Sequence, residues 1–349
     1  MGQGLAVVSE RGSDISAGHP APRLILVTGA SGYFGSALVP FLAAQPGVSV
    51  RAFCDFAFGD HLPELVNVEK VRGDVRDDAA LAAACQGATD VVHLAAVVTD
   101  ALVDMNPRKG RAVNVDATRG LCRASAEADI HRVIYASSSS VYGSVTHDVT
   151  EDEDPRPLTE YARTKLVGEA FMWRYRGSFE PIVVRMASLS GPAPRMRLDT
   201  IVNIFSKQAY YDGVLTVHGG GQWRCNLHIQ DACEAYWRLL TAPRIAVADR
   251  VFNLVGSTAT ARDIAAEVAV AAGEALGRVP RTLTTAEVDR RDYRMSGARL
   301  KAALDWGPAR TVADAARDNF LFFAAGGLSD PEDDIYYNTR RMAAAMKET

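Results

Sequence analysis

The sequence predicts an α/β fold, a doubly wound parallel sheet with a smaller C-terminal α/β lobe, and three observations carry that prediction. From Arg23 onward, short β-branched runs alternate with Ala/Leu-rich stretches. The runs are apolar throughout rather than at every second position, and a glycine-rich turn joins the first run to the first helical stretch. Strands buried on both faces read as continuous apolar runs, and alternation of strand with helix marks βαβ units.

The elements follow in order. Residues 24–28 ("LILVT") form the first strand, 36–44 the helix after the turn, and 48–54 the second strand. Residues 90–94 and 132–136 are further buried strands, with an Ala-rich helix over 119–128 between them. A helix over 161–175 and a strand over 182–185 continue the pattern until "SGPAPRMRLD", residues 190–199, breaks it with proline and arginine. The expected divisions are a loose N-terminal tail over 1–22, the sheet domain over 23–190, and a second lobe over 191–326 from which the chain has room to cross back. A polar tail over 327–349, charged and helix-like at its end, has no assigned place.

Composition excludes several classes. At 349 residues, 48% hydrophobic and 23% charged, the chain lies in the ordinary globular range. A formal charge of −4 with both signs interspersed leaves no polybasic face for nucleic acid or an anionic membrane. No apolar run approaches the roughly 20 residues that span a bilayer, and the first 22 residues lack a signal-peptide core, so a cytoplasmic protein is expected. Five cysteines without CxxC spacing fit reduced thiols better than disulfides or a metal site, and no metal is expected.

The turn reads Gly29-x-x-Gly32-x-x-Gly35, after a strand and opening a helix. Glycines there permit the tight turn and close approach to a pyrophosphate, while the N–H groups of the helix start, around Tyr33 and Phe34, face the phosphates. Asp55 ends the second strand, 26 residues past Gly29, near the usual position of the acid that binds the adenosine ribose. A carboxylate there repels a 2′-phosphate and favours NAD over NADP, although a strand-end carboxylate is also an ordinary solvated feature. Asp74 and Val75 in "RGDVRD" are placed to border the adenine, and Asp74 reads equally as a turn residue.

"VIYASSSSVYG", residues 133–143, puts hydroxyls at the carboxyl end of a buried strand, where open α/β sheets bind ligands. Downstream, Tyr161 and Lys165 form Y-x-x-x-K on one helix face. A lysine cation beside the phenol is expected to lower its pKa from about 10 toward the range of a general base.

With these motifs in hand, TGASGYFG, HLAA at residues 93–96, SSSSVYG and YARTK at residues 161–165 resemble the extended short-chain dehydrogenase/reductases that act on nucleotide-sugars. The resemblance runs over residues 24–338 and continues through "VVRMASLSGP", "LTVHGGGQWRCNLHIQDACEAY", "VFNLVG" and "DYRMSGARLKAALDWGP". It implies a Rossmann domain binding NAD, a lobe binding a nucleotide-diphosphate sugar, and a homodimer. It further implies that Tyr161 exchanges a proton with a sugar hydroxyl, Lys165 binds the nicotinamide ribose, and Ser138 hydrogen-bonds the reacting oxygen. Leu94, Ala95, Ala96 and Asn114 would line or support the cofactor, Ser139, Ser140 and Ser188 would face the sugar, and Arg224 and Arg291 would hold the diphosphate. His93 is expected to be strand-end structure.

Dehydratases of that group follow the serine or threonine with Asp-Glu, whereas Ser139 and Ser140 stand here, and hydroxyls do not replace carboxylates near neutral pH. The motifs are closest to 4-epimerases of the UDP-glucuronate and UDP-glucose kind, working through a transient 4-keto sugar and enzyme-bound NADH. Two departures, Ser188 in place of Asn or Thr and a loop after HLAA without its glycine, point to an unusual sugar. The alternatives are a 4-dehydrogenase or ketoreductase, then a 4,6-dehydratase, and outside enzymes an NAD-binding regulatory protein of the same fold.

Overall fold

Successive residues of the first strand bury on opposite faces. Ile25 and Val27 join the apolar cluster of Leu38 and Tyr236, whereas Leu26 joins that of Leu81, Leu121 and Met172. The same division separates Val92 from Val91 and Ile134 from Val133, so each run must be apolar throughout to serve two helical layers.

The computed structural model describes residues 22–286 and 292–347. Its main sheet has seven parallel strands: β1 (Arg23–Thr28), β2 (Val48–Cys54), β3 (Val68–Arg72), β4 (Asp90–His93), β5 (Arg132–Ser138), β6 (Glu180–Met186) and β7 (Arg250–Leu254). Their spatial order is β7-β6-β5-β4-β1-β2-β3. Val27 of β1 pairs with Ala52 of β2 on one side and Val92 of β4 on the other, so the order reverses at β1. The expected doubly wound Rossmann-like fold is therefore the one observed, and the crevice at that reversal is where such sheets bind ligands.

Six helices matter for the site: α1 (Tyr33–Ala43), α2 (Asp100–Met105), α3 (Ala117–Glu127), α4 (Glu160–Arg174), α5 (Ile229–Thr241) and α6 (Asn338–Lys347). Between β6 and β7 the chain builds Ser188–Ser190 and Trp223–His228 of a small sheet, returns to add β7 to the main sheet, and then adds Ser257–Thr260 as the third strand of the small sheet. The polar segment after Gly326 is folded onto the body: a short turn at Asp334–Tyr336 leads into α6, whose Met346 is buried with Val97, Leu102 and Val103. Among the described residues no helix is long and apolar enough to cross a membrane.

One buried ion pair joins sheet and helix layer. Arg132 at the start of β5 donates to Glu180 at the start of β6, Nη2 to Oε2 at 2.6 Å, and its Nη1 also reaches the carbonyls of Leu239, Leu240 and Ala242 at the end of α5. Those carbonyls lack intrahelical partners, so one guanidinium satisfies a buried carboxylate and a helix end together. Burial alone would raise the Glu180 pKa, but the hydrogen bond and charge of Arg132 outweigh it and hold the carboxyl below its ordinary range. A depressed carboxylate contributes stability that is full above its unfolded pKa and is lost as pH falls through the folded one. Replacing Arg132 by Ala leaves Glu180 Oε2 and the Leu239 and Ala242 carbonyls without their donor, while Arg244 still reaches Glu180 Oε1 and Arg23 the Leu240 carbonyl, and denaturant unfolding is expected to report a loss of about 3–5 kcal/mol. A loss under about 1 kcal/mol, typical of an exposed pair, would contradict this account of the junction.

Candidate active site

The glycine turn lies at the sheet's reversal. Gly29 adopts φ 72°, and a Cβ on it would sit 2.7 Å from the backbone nitrogen of Ala95 in the chain leaving β4. A Cβ on Gly35 would run into the carbonyl oxygens of Gly29 and Ala30, so α1 packs against the turn only without a side chain there. Gly32 caps α1 with no side-chain hydrogen bond and the first turn carries no acidic residue, which leaves the positive helix end turned to the crevice.

That crevice is a cavity of about 1400 Å3 running from the turn to the second lobe. Gly29, Gly32, Tyr33, Phe34, Gly35, Asp55, Asp74, Val75, Leu94, Ala95 and Ala96 all line it. The side chains of Tyr33 and Phe34, however, are committed elsewhere. The Tyr33 hydroxyl donates to the Gly191 carbonyl at 2.5 Å and accepts from Asn203, and the Phe34 ring meets Tyr236 edge-on at 4.9 Å. The Tyr33 ring ties α1 to Gly191 and Asn203, and the Phe34 ring ties it to α5. Asp55 accepts the Ala57 N–H at 3.0 Å, and Asp74 is both lining and turn residue, accepting the Arg76 N–H and pairing with its guanidinium at 2.5 Å.

Asn114 is not among the residues that line the cavity. Its Oδ1 accepts the Val97 N–H at 2.8 Å, and its Nδ2 donates to the Val97 carbonyl and to Thr164 at 3.0 and 3.1 Å. The amide is fully spent in clamping the chain after β4 to α4, which makes it a support for the site.

Ser138 closes β5, its Oγ lies 2.9 Å from Ser140 Oγ, and it lines the cavity together with Tyr161. Ser139, Ser140 and Ser188 line the same cavity. Lys165, one turn beyond Tyr161 on α4 and 4% exposed, donates from Nζ to the Ala136 carbonyl at 2.9 Å. The expected tuning of Tyr161 by Lys165 is not what sets the phenol. Burial pushes Tyr161 up to about 12, against which Ser138's hydrogen bond and Arg197's charge pull down, while Asp100 and Tyr293 push further up. Lys165 is itself pushed down to about 8 by burial, with Glu169 opposing. In this state Tyr161 is a proton donor at neutral pH. His93 bridges Thr28 and Thr118 at 2.7 and 3.0 Å, and burial, helped by Lys165, brings its pKa down to about 3, so it is a neutral spacer.

At the far end Arg224 is 6% exposed, lines the cavity and donates to the Trp223 carbonyl at 2.8 Å. Arg291 lies outside the described residues. Other lining groups escape a reading by motif: Asp100 on α2, Arg195 and Arg197 from the break after Ser190, Tyr293, and the face of α6. The doubled arginine of "PRMRLD" was the one available signal. The helix α6 roofs the crevice, held by Asn106 on the Met346 carbonyl at 2.9 Å, Lys109 on the Ala345 carbonyl and Arg341 on the Ala57 carbonyl at 3.3 Å. Among the described residues no three His, Cys, Asp or Glu side chains converge to hold a metal ion.

Comparison with known proteins gives this crevice relatives. A UDP-glucose 4-epimerase of Mycolicibacterium smegmatis is 28% identical over 314 residues, 85% of this chain and 97% of its own length. A dTDP-glucose 4,6-dehydratase of Streptomyces niveus is 25% identical over 312 residues, 83% of this chain and 89% of its own. The solved structure of MoeE5 in complex with UDP-glucuronic acid and NAD superimposes with a TM-score of 0.74 at 27% identity, covering 86% of this chain and 99% of that one. The model of the NAD dependent epimerase/dehydratase family matches residues 25–255, from β1 through the end of β7. Because that match spans the whole main sheet with its turn and its serine strand, the chain belongs to the NAD dependent epimerase/dehydratase family.

Proposed function

We propose that the protein is an NAD-dependent nucleotide-sugar 4-epimerase that oxidises the sugar at C4 and reduces the 4-ketose on its opposite face. The observation that supports the reading is that Ser138 and Tyr161 line one cavity with Ser139, Ser140 and Ser188, with no carboxylate on the serine turn. The residues present fit NAD: an uncapped α1 for the pyrophosphate, Asp55 at the end of β2 for the adenosine ribose, and Lys165 with Tyr161 for the nicotinamide ribose. NAD, when bound, takes hydride from C4 and gives it back.

The protein's own groups move the proton. Ser138 holds the C4 oxygen against the Tyr161 hydroxyl, so the phenol oxygen receives the C4 hydroxyl proton in oxidation and returns it in reduction. Since burial keeps the phenol high, the Ser138 hydroxyl and the Arg197 charge, which pull it down, must bring it within reach. Small hydroxyls at 139, 140 and 188 leave the ketose room to turn over. Arg224 holds the diphosphate by charge-assisted hydrogen bonds. The five cysteines are buried free thiols, which suits the cytosol proposed for it, and a homodimer is proposed by family likeness alone.

A second reading, a 4,6-dehydratase, has one observation in its favour: Asp100 lines the same cavity and raises the Tyr161 pKa by its charge, so a carboxylate is supplied by α2 rather than by the serine turn. Products separate the two. Incubation with UDP-, dTDP- and GDP-sugars and catalytic NAD, followed by NMR, is expected to give a C4-inverted sugar without accumulating NADH. A 4-keto-6-deoxy sugar would establish the second reading, and one NADH per released 4-ketose would make the protein a dehydrogenase. Tyr161→Phe removes the proton carrier and little volume. Its turnover is expected to fall by about 10²–10⁴-fold with NAD affinity unchanged by calorimetry, and near wild-type turnover would remove Tyr161 from the mechanism.

A further inference from the structure

The segment after Gly326 is fastened to the second lobe at its start and to the sheet domain at its end. On the second lobe Lys207 pairs with Glu332 at 2.5 Å, and the Leu198 N–H donates to the Tyr336 carbonyl at 2.8 Å. On the sheet domain Asn106 Nδ2 and Lys109 Nζ hold the Met346 and Ala345 carbonyls, and Met346 is buried against Val97, Leu102 and Val103. Carbonyls in the last turn of a helix have no partner within it, so α6 docks by giving its free end to two donors. The one ion pair of α6 among the described residues, Arg340 to Glu332, stays within the segment. A helix fastened to the sheet domain by one methionine and a few hydrogen bonds to carbonyls lies at the low-stability end of a fold, where moving parts are found.

Beneath α6 lies the stretch of crevice between Asp55 and Asp74. Arg341 Nε donates to the Ala57 carbonyl at 3.3 Å, and Asp55 accepts the N–H of that same residue. On the opposite wall the Asp74 carboxyl, which Arg76 holds below its ordinary range, also feels the charge of Lys109. The helix thus crosses from the strand end suited to the adenosine ribose to the turn that borders the adenine. Asn338 opens α6, is 5% exposed and lines the cavity, and its buried Oδ1 has no donor among the described residues. A buried amide oxygen without a donor is costly. Ribose hydroxyls and the adenine amino group are donors of the kind it lacks.

We propose that α6 is a clasp over the adenosine half of NAD, and that it must lift off the sheet domain for the dinucleotide to enter or leave. The proposal rests on reading the crevice as a dinucleotide site. Docked, the helix keeps one NAD molecule in place while hydride is taken from the sugar and returned. Lifted, it opens the stretch between Ala57 and Lys109.

The test is the exchange of bound NAD against isotopically labelled NAD, together with the rate of NAD entry into nucleotide-free protein, on the full chain as wild type, Asn106→Asp and Met346→Glu. Aspartate at 106 keeps the oxygen that accepts the Lys109 N–H and sets an anion against the Met346 carbonyl, whereas Met346→Glu puts a carboxylate among Val97, Leu102 and Val103 unless α6 lifts. Trypsin cleavage after Arg340 and Arg341 in the same samples reports docking. Bound NAD is expected to slow cleavage of the wild type. Both variants are expected to be cleaved sooner and to exchange NAD about 10-fold faster or more, with entry accelerated as well as exit. Exchange at the wild-type rate in both variants overturns the proposal, because docking then does not govern it, and so does wild-type cleavage that NAD leaves unchanged. Faster exit without faster entry overturns it too, by making α6 a contact surface rather than a clasp. Failure of the wild type to bind NAD would instead overturn the reading of the crevice on which the proposal rests.

Discussion

Glu169, 2% exposed on α4, holds together the elements on which the site depends. Its Oε1 accepts from Ser137 at 2.5 Å and from Arg185 Nε at 3.0 Å, and its Oε2 accepts from Arg185 Nη2 at 2.7 Å. Arg185 carries the network on to the Tyr142 hydroxyl at 2.9 Å, and Tyr142 donates to Asn253 of β7 at 2.7 Å. One carboxylate thereby ties the end of β5 to α4, β6 and β7. It also stands one turn beyond Lys165 and opposes the effect of burial on that ammonium. A buried ion pair of this kind adds little net stability, because desolvation offsets its attraction, but once every lone pair is satisfied it admits one arrangement. Ser137 precedes Ser138 and Lys165 follows Tyr161 by a turn, so that arrangement sets the relation of the serine to the tyrosine.

Burial competes with charge throughout the molecule, and the outcome sorts its ionic groups into two kinds. Arg132 with Glu180, and Arg185 with Glu169, are closed pairs whose partners lie within hydrogen-bond distance, and they join secondary structures. Lys165 and Arg195 lack such a partner, both are pushed toward their neutral forms by burial, and both line the cavity. Interior cations with no carboxylate in hydrogen-bond contact are expensive even with Glu169 and Asp199 acting at longer range, so their alignment along one crevice is intelligible where a ligand supplies negative charge.

The parts of this organisation legible in the sequence are those whose chemistry is local. Continuous apolar runs reveal a sheet covered on both faces, Gly29 and Gly35 mark a turn in which a Cβ meets backbone, and Tyr161 with Lys165 declares a shared helix face by spacing alone. Direction of side chains across distant segments is not written that way. Tyr33 and Phe34 follow the glycine pattern and contribute backbone to the cavity, while their rings reach Gly191, Asn203 and Tyr236, more than 150 residues away. Asn114 is spent on Val97 and Thr164, which no spacing rule discloses. Arg195, Asp100 and the roof of α6 enter the crevice from three separate regions of the chain, and burial rather than the lysine four residues on is what most shifts the pKa of Tyr161.

The central claim is that hydride leaves C4 and returns to C4 of the same sugar within one closed crevice. A nucleotide-sugar deuterated at C4, turned over with catalytic NAD and analysed by NMR and mass spectrometry, tests it directly. The account predicts a C4-inverted product that retains its deuterium at C4, with none in the free nicotinamide pool. Deuterium found at C6 of a 4-keto-6-deoxy sugar, or lost to free cofactor, would contradict it.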